Sequence, residues 1–386
     1  MAFEFSTTPK IVYAQPLADV LKSHCDKLAL TSLCIVTDQQ ILSLGLLDPV
    51  IESLHRASIK VTVFAETESD PSVKTVKQAA EFLLANNVGF VVGIGGGSAM
   101  DVAKVASILA APNCHQTLEQ LFGIEQVKGL RLPLVLVPTT AGTGSEVTPI
   151  SIITTGETTK AGIVSNSLLP DIAILDPALT LGLPPSITAA TGIDAMVHAI
   201  EAYTSKIKKN PLSDHLSCNA LKLLSNNIRM AVHDGKNLNA RGEMLLGSML
   251  AGQAFANAPV GGVHALAYPL GGTFHIPHGL SNALMLPHVM RFNLPYAKDM
   301  YAELAQLICP ELDCKLLSVD KAETLVRYLQ KLISELGLPA RLREVGITQD
   351  SLANLAKQAM LQQRLLVNNP VEITEEDALM LYQQAF

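Results

Sequence analysis

From about residue 30 to 180 the chain alternates short runs rich in Val, Ile and Leu with amphipathic stretches, and after about residue 183 the short runs stop. This switch constrains the fold more than any other feature. The runs are LCIVTD (33–38), VTVFAE (61–66), FVVGIGG (90–96), LPLVLVPTT (132–140) and DIAILDP (171–177), each bounded by turn residues. Strands alternating with helices build βαβ units and a mostly parallel sheet. In SDPSVKTVKQAAEFLLANN, Asp70 or Ser69 is read as the cap of a helix that Pro71 opens. Helix-compatible stretches follow at 194–205, 213–234, 240–257, 297–309, 318–337 and 349–363, and Pro184 and Pro185 punctuate the chain before them. The predicted architecture is a doubly wound, Rossmann-like α/β domain (1–183) followed by an all-α helical domain (184–386). The cleft between two such domains is the expected ligand site.

Composition narrows the function. With 386 residues there is room for two domains. Hydrophobic residues make up 48% and charged residues 16%, which excludes a disordered chain. A net charge of -7 gives no reason to expect nucleic acid, and the basic run at Lys206, Lys208 and Lys209 reads as a solvated loop. No run approaches the roughly 18 uninterrupted apolar residues of a spanning helix, and MAFEFSTTPKIVYAQPL does not read as a secretory signal. Cysteines 25, 34, 114, 218, 309 and 314 are scattered without a CxxC pair, the pattern of reduced thiols in a cytoplasmic protein. Cys309 and Cys314 have no second pair at ligand spacing. The expected partner is therefore a small molecule, with neither nucleic acid nor membrane.

Two loops suggest a phosphate-bearing ligand. FVVGIGGGSAMDVAK runs from strand into glycine and then helix. Gly95, Gly96 and Gly97 let phosphates approach the backbone, and the helix N-terminus offers free N–H groups. Ser98 is read as the N-cap, with Asp101 three residues on as in a capping box. The spacing matches neither a Walker loop nor a full GxGxxG, so a tight strand-to-helix turn fits almost as well. VPTTAGTGSEVTP adds the hydroxyls of Thr139, Thr140, Thr143 and Ser145; the alternative is a turn whose hydroxyls serve only local backbone. Asp38, ending its strand, suits a ribose 2′-OH and favours NAD over NADP, or else caps a helix.

Downstream, Asp194 and His198 in TGIDAMVHAIEAY stand four residues apart, on one helix face. His264 and His278 lie in GGVHALAYPLGGTFHIPHG, read as glycine-rich turns. Three imidazoles and a carboxylate suit Fe²⁺, with Zn²⁺ as the alternative. Singly, each has an ordinary reading: Asp194 as an N-cap, His198 as a core histidine, His264 and His278 as turn residues. His288 is taken as structural, and His24, His55, His115, His215 and His233 belong to no motif.

GGGSAMDVAK, PTTAGTGSEVT, DAMVHAIEAY and HIPHG, in this order, resemble the iron-dependent (group III) alcohol dehydrogenase family, over a span from about Pro9 to past Asn293. The resemblance implies a dinucleotide-binding domain facing a helical metal domain. It places the metal ligands at Asp194, His198, His264 and His278, and pyrophosphate contacts on the loop from Gly95 to Ser98. Thr139 and Thr140 would lie against the cofactor, Asp38 would meet the 2′-OH, and Lys160 would hydrogen-bond the cofactor. It also implies a homodimer or higher oligomer. Many members carry a histidine four residues after the third ligand, assigned to proton relay or cofactor contact; here Tyr268 stands there, and His275 is the candidate substitute.

The expected activity is hydride transfer between NAD(H) and a small alcohol, diol or aldehyde, with residues 251–260, among them Ala254 and Phe255, forming apolar walls. The alternatives are a hydroxyacid–oxoacid transhydrogenase, a dehydroquinate-synthase-like lyase and a nucleotide-binding scaffold. The lyase is disfavoured because residues 255–290 contain no Lys or Arg. Intact ligands argue against a scaffold.

Overall fold

A computed structural model describes every residue except Met1, Ala14, Gln15, Glu157, Thr158, Glu311 and Cys314, so Cys314 lies outside the described residues. Among those described, the strands are β1 (Ile11–Tyr13), β2 (Ser32–Val36), β3 (Lys60–Phe64), β4 (Val91–Gly95), β5 (Gly123–Ile124), β6 (Leu134–Pro138), β7 (Ile150–Thr154), β8 (Lys160–Val164) and β9 (Ile172–Leu175). Six of them form one sheet in the order β1-β9-β6-β4-β2-β3. Every pairing in it is parallel.

The five predicted runs are five of these six strands; β4, β6 and β9 are trimmed at both ends, while β2 and β3 begin one residue earlier and end two residues earlier than predicted. The continuous apolar character of β2, β4, β6 and β9 reflects burial of both faces, while the edge strand β3 is only partly buried. Leu33, Ile35, Val92, Ile94, Val135 and Val137 point into one layer of the core. Cys34, Val36, Val91, Leu134 and Leu136 point into the other. β1 was not predicted because it is only three residues long and buries one of them, Val12. A second sheet, β5-β8-β7, was also missed. Its strands are short and partly exposed, so they lack the unbroken apolar signature.

β2 lies between β3 and β4, so the chain winds outward from β2 on one side and then returns to its other side. At such a switch point, ligands bind outside the carboxyl ends of the strands. Asp38 follows the end of β2, and Gly95 ends β4.

Two helix starts differ from expectation. The Val73–Ala85 helix is capped by Ser72, whose Oγ accepts from Thr75 N–H at 3.2 Å. Asp70 cannot cap it, because its φ of 56° is left-handed while a cap needs extended backbone. The Gly97–Leu109 helix has Gly96 as N-cap, so Ser98 is already inside the helix and no side chain caps its first turn.

The chain divides into two compact units. One comprises Ser6–Thr140 and Gly144–Leu181; the other comprises Gly182–Phe386 and Ala141–Thr143, with the N-terminal residues up to Phe5. The second unit is helical. At its centre runs the Pro185–Thr204 helix, buried on nearly every side, as expected of a helix apolar all round. Pro211–His233, Leu238–Asn257 and His278–Ile308 pack against it.

Here too the boundaries move. Helix Pro185–Thr204 begins at the second proline, a favoured first helical position, which puts Asp194 in its interior and removes the N-cap reading. Gly262–Phe274, read as turn, is helical despite its glycines and Pro269. Burial of Val263, Ala265, Leu266 and Leu270 overrides the low helix propensity of glycine. The predicted 297–309 helix is the end of a 31-residue helix, His278–Ile308, which runs through Pro287 and Pro295. The 349–363 stretch keeps a regular α-helix only over Leu352–Ala359.

Candidate functional site

Helix periodicity builds the centre. Asp194 and His198 are one turn apart on the central helix, and Glu201 continues the same stripe at the next turn. His264 comes from the first turn of Gly262–Phe274, and His278 is the first residue of the long helix. One ligand atom from each of Asp194, His198, His264 and His278 lies within 4.8 Å of all the others. The four predicted ligands, up to 84 residues apart in sequence, therefore converge.

Two glycines permit the approach. A Cβ on Gly279 would overlap the carbonyl of Ala190 and lie 3.3 Å from Asp194 Cβ, so only glycine lets the His278 helix settle against the central helix there. A Cβ on Gly142 would come within 2.7 Å of Thr191 Cβ. Gly142 sits close enough for its carbonyl oxygen to lie 3.2 Å from His198 Nδ1.

These neighbours set the histidine tautomers. A carbonyl only accepts, so His198 Nδ1 carries the proton and its other nitrogen keeps a free lone pair. His264 Nδ1 lies 2.6 Å from Glu201 Oε2, while its Nε2 is 4.0 Å from Asp194 Oδ1. His278 Nε2 is 3.6 Å from the same oxygen. Burial drives the His198 pKa down to about 3, opposed by Asp194, so the ring is a neutral donor at ordinary pH. Burial works against ionising Asp194, but the surrounding imidazoles and the Asn282 amide outweigh it and hold the carboxyl below its usual range.

The donor set fits a divalent cation. Asn282 supplies a structural indication: its amide nitrogen donates to Asp194 Oδ1 at 2.6 Å and lies 3.2 Å from His264 Nε2 and 3.3 Å from His278 Nε2. An electropositive N–H group thus stands against three of the four acceptors that an ion would satisfy. Its Oδ1 is buried without a hydrogen-bond partner among the described residues.

The remaining predicted residues around the centre divide. Phe255 stacks on His198 at 4.3 Å between ring centroids. Ala254 is not a wall residue; it is fully buried in a small core cluster with Ala202 and Ala258. The Tyr268 ring meets His278 edge-on at 5.8 Å, and its hydroxyl accepts from Arg364 at 3.4 Å. His275 is exposed, closes its helix with a left-handed φ of 55° and is not one of the converging ligands. His288 stands apart on the long helix, where burial lowers its pKa to about 4.

In the α/β unit, the uncapped first turn at Gly97 and Ser98 leaves backbone N–H groups directed past Gly96. A Cβ on Gly96 would meet nothing closer than Thr140 at 3.8 Å, so the approach over this turn is open. Thr139 N–H donates to Gly95 carbonyl at 2.9 Å, which sets the two predicted loops side by side. The Asp38 carboxylate adjoins the same turn, 3.6 Å from where a Gly95 Cβ would be, and it also caps its helix by accepting from Ile41 N–H at 2.8 Å. Asp101 faces inward: its oxygens accept from Ser145 Oγ at 2.7 Å and Ile152 N–H at 2.8 Å. Fully buried Lys104 donates to Ser145, Thr148 and the Ile150 carbonyl. Asp101 and Ser145 thus belong to a polar knot that ties the helix after β4 to the loop after β6. Lys160 Nζ is paired with Asp70 at 2.5 Å.

Models of two halves of one family match in tandem: iron-containing alcohol dehydrogenase over residues 8–177 and the C-terminal part of the Fe-containing alcohol dehydrogenases over 188–386. The chain belongs to the iron-containing alcohol dehydrogenase family. As a member it is an oxidoreductase. It is 40% identical over 369 residues to long-chain-alcohol dehydrogenase 1 of Geobacillus thermodenitrificans, spanning 95% of this chain and 93% of that one. A solved 1,3-propanediol oxidoreductase superposes with a TM-score of 0.95 at 36% identity, covering both chains completely. A sulfoacetaldehyde reductase from Bifidobacterium kashiwanohense, solved with NAD+, superposes with a TM-score of 0.88 at 31% identity over 100% of this chain and 99% of that one.

Glu201 and Asn282 escaped the sequence reading. For Glu201 there was a signal, since it continues the Asp194–His198 stripe at the same helical spacing.

Proposed function

We propose that this protein oxidises small primary alcohols or diols with NAD, or reduces the matching aldehydes, using Fe²⁺ held by Asp194, His198, His264 and His278. The observation that carries the reading is the convergence of three imidazoles and one carboxylate within 4.8 Å in a largely buried setting. When bound, such an ion supplies Lewis acidity toward an alcohol or aldehyde oxygen, and the nicotinamide supplies or accepts the hydride.

The chain's own residues do the rest. Gly142 and Glu201 keep the His198 and His264 lone pairs aimed inward. Phe255 and Tyr268 flank the centre with aromatic surface, and the Tyr268 hydroxyl is the candidate for the proton relay. Gly95, Gly96, Gly97 and Ser98 of the α/β unit take the pyrophosphate, Thr139, Thr140 and Thr143 contact the cofactor, and Lys160 hydrogen-bonds it. Asp38 takes the ribose 2′-OH and repels a 2′-phosphate, which favours NAD over NADP. Asp101 acts through Ser145. The functional division is at about residue 183, into a dinucleotide-binding and a metal-binding domain, in a cytoplasmic homodimer or higher oligomer. The relatives named for 1,3-propanediol and sulfoacetaldehyde support a small polar substrate.

The test is NADH formation by anaerobically purified, Fe²⁺-loaded protein against a panel of small alcohols and diols, beside metal-stripped protein. Activity that needs the metal and disappears in His264→Ala supports the reading. No turnover on any member of the panel with metal bound would count against it.

A further inference from the structure

We propose that Glu201 is a positioning residue of the metal centre, which fixes the ring plane and tautomer of His264. The assignment rests on the metal-centre reading above. Asp194, His198 and Glu201 fall at successive turns of one helix, so a single stripe presents two ligands and the group that orients a third. Glu201 is buried, as is His264. Its two oxygens have separate tasks. Oε1 accepts from the backbone N–H of Val263 at 2.6 Å, and Oε2 accepts from His264 Nδ1 at 2.6 Å.

The pairing is specific because Val263 and His264 are adjacent at the start of their helix. One carboxylate therefore grips the first turn by its backbone and by its side chain together. With the proton held on Nδ1, the Nε2 lone pair has one direction left, toward Asp194 and His278. Carboxylate partners of this kind raise the basicity of a ligating imidazole, and losing one commonly weakens metal binding about 10- to 100-fold. A glutamate buried only for packing would have no reason to aim an oxygen at Nδ1 of a ligand.

Glu201→Gln separates these roles. It keeps the shape, but one end of the amide is now a donor, so it can serve either Val263 N–H or His264 Nδ1–H and not both. Glu201→Asp keeps the charge and withdraws it by one methylene, which provides a second variant should the amide fold poorly. The measurement is Co²⁺ affinity by chelator competition, with the visible spectrum of the Co²⁺ protein and the melting temperature of the metal-free protein alongside. The expected result is a 10- to 100-fold loss of Co²⁺ affinity in Glu201→Gln and a smaller loss in Glu201→Asp. The Co²⁺ bands should shift at saturating metal, and the metal-free melting temperature should fall modestly in Glu201→Gln, where one buried N–H loses its acceptor. Affinity within about twofold of the parent in both variants, with unshifted bands, would overturn the proposal. A parent protein that binds no Co²⁺, like His264→Ala, would sink the metal centre itself and this assignment with it, an outcome distinct from normal binding in the Glu201 variants.

Discussion

The Nδ1 of His198 lies 3.2 Å from the carbonyl oxygen of Gly142, so a backbone atom of a loop fixes the tautomer of this candidate ligand. The loop can come so near because residue 142 has no Cβ. Substituting Gly142→Ala forces a methyl group to within 2.7 Å of Thr191 Cβ and 3.1 Å of its carbonyl. Overpacking of this kind costs about 1–3 kcal/mol. The expected outcome is a lower melting temperature together with about tenfold weaker metal binding, read by thermal melts and chelator competition. Unchanged metal affinity would show that the carbonyl does not orient His198.

Removing the metal is expected to destabilise the protein in a way that depends on concentration. An ion that binds only the folded chain adds about 4 kcal/mol when present at 1,000 times its dissociation constant. Melting temperature should therefore climb with added Fe²⁺ or Zn²⁺ under anaerobic conditions and fall with chelator. Asp194→Asn should flatten that dependence, because an amide replaces the one anionic ligand in the cluster.

Glu146 predicts a pH dependence. It is buried, its Oε2 has no hydrogen-bond partner among the described residues, and burial lifts its pKa from 4.5 to about 7 despite Lys104 nearby. Between these values the folded chain keeps a proton that the unfolded chain releases. Stability should fall as pH rises across that window and level off above it. The loss is on the order of 3 kcal/mol, at about 1.4 kcal/mol for each pH unit that the window spans. Glu146→Gln should gain stability relative to the parent on going from pH 5 to pH 8, as followed by thermal melts; parallel curves for the two proteins would refute the assignment.

Under the proposed cofactor assignment Asp38 has two tasks, which two readouts of one substitution separate. Asp38→Ala removes the cap on Ile41, at a cost of about 1 kcal/mol, and also removes the charge opposed to a 2′-phosphate. Under the proposed cofactor assignment, the ratio of kcat/KM with NADPH to that with NADH should rise about tenfold, equivalent to ~1.4 kcal/mol. A melting temperature that drops with no change in the ratio would leave Asp38 a cap alone.

The parts legible in the sequence share a physical cause. β2, β4 and β6 are covered on both faces, so burial writes itself as an uninterrupted apolar run. β1 and the β5-β8-β7 sheet are short or half-exposed, and their residues read as ordinary loop. The four candidate ligands were visible because histidine and aspartate are uncommon in apolar, glycine-rich surroundings. Glu201 was not, since a glutamate on a helix is usually solvated, and its partner His264 is 63 residues away. Asp101 misled for a related reason. Three residues after Ser98 it matches a local capping pattern, but its partners are Ser145 and Ile152, brought there by the fold. Local spacing reveals helix faces; it does not reveal which distant residue a buried carboxylate will meet.

The knot of Asp101, Lys104 and Ser145 has a consequence for how this scaffold can be altered. Its members come from two stretches more than 40 residues apart, and each supplies a group the other needs to stay satisfied in the interior. The helix after β4 and the hydroxyl-rich loop after β6 are therefore structurally interdependent. Grafting one of them alone from a relative whose partner residues differ would strand a lysine or a carboxylate in the core. A transplanted segment should leave the fold stable only when both segments travel together.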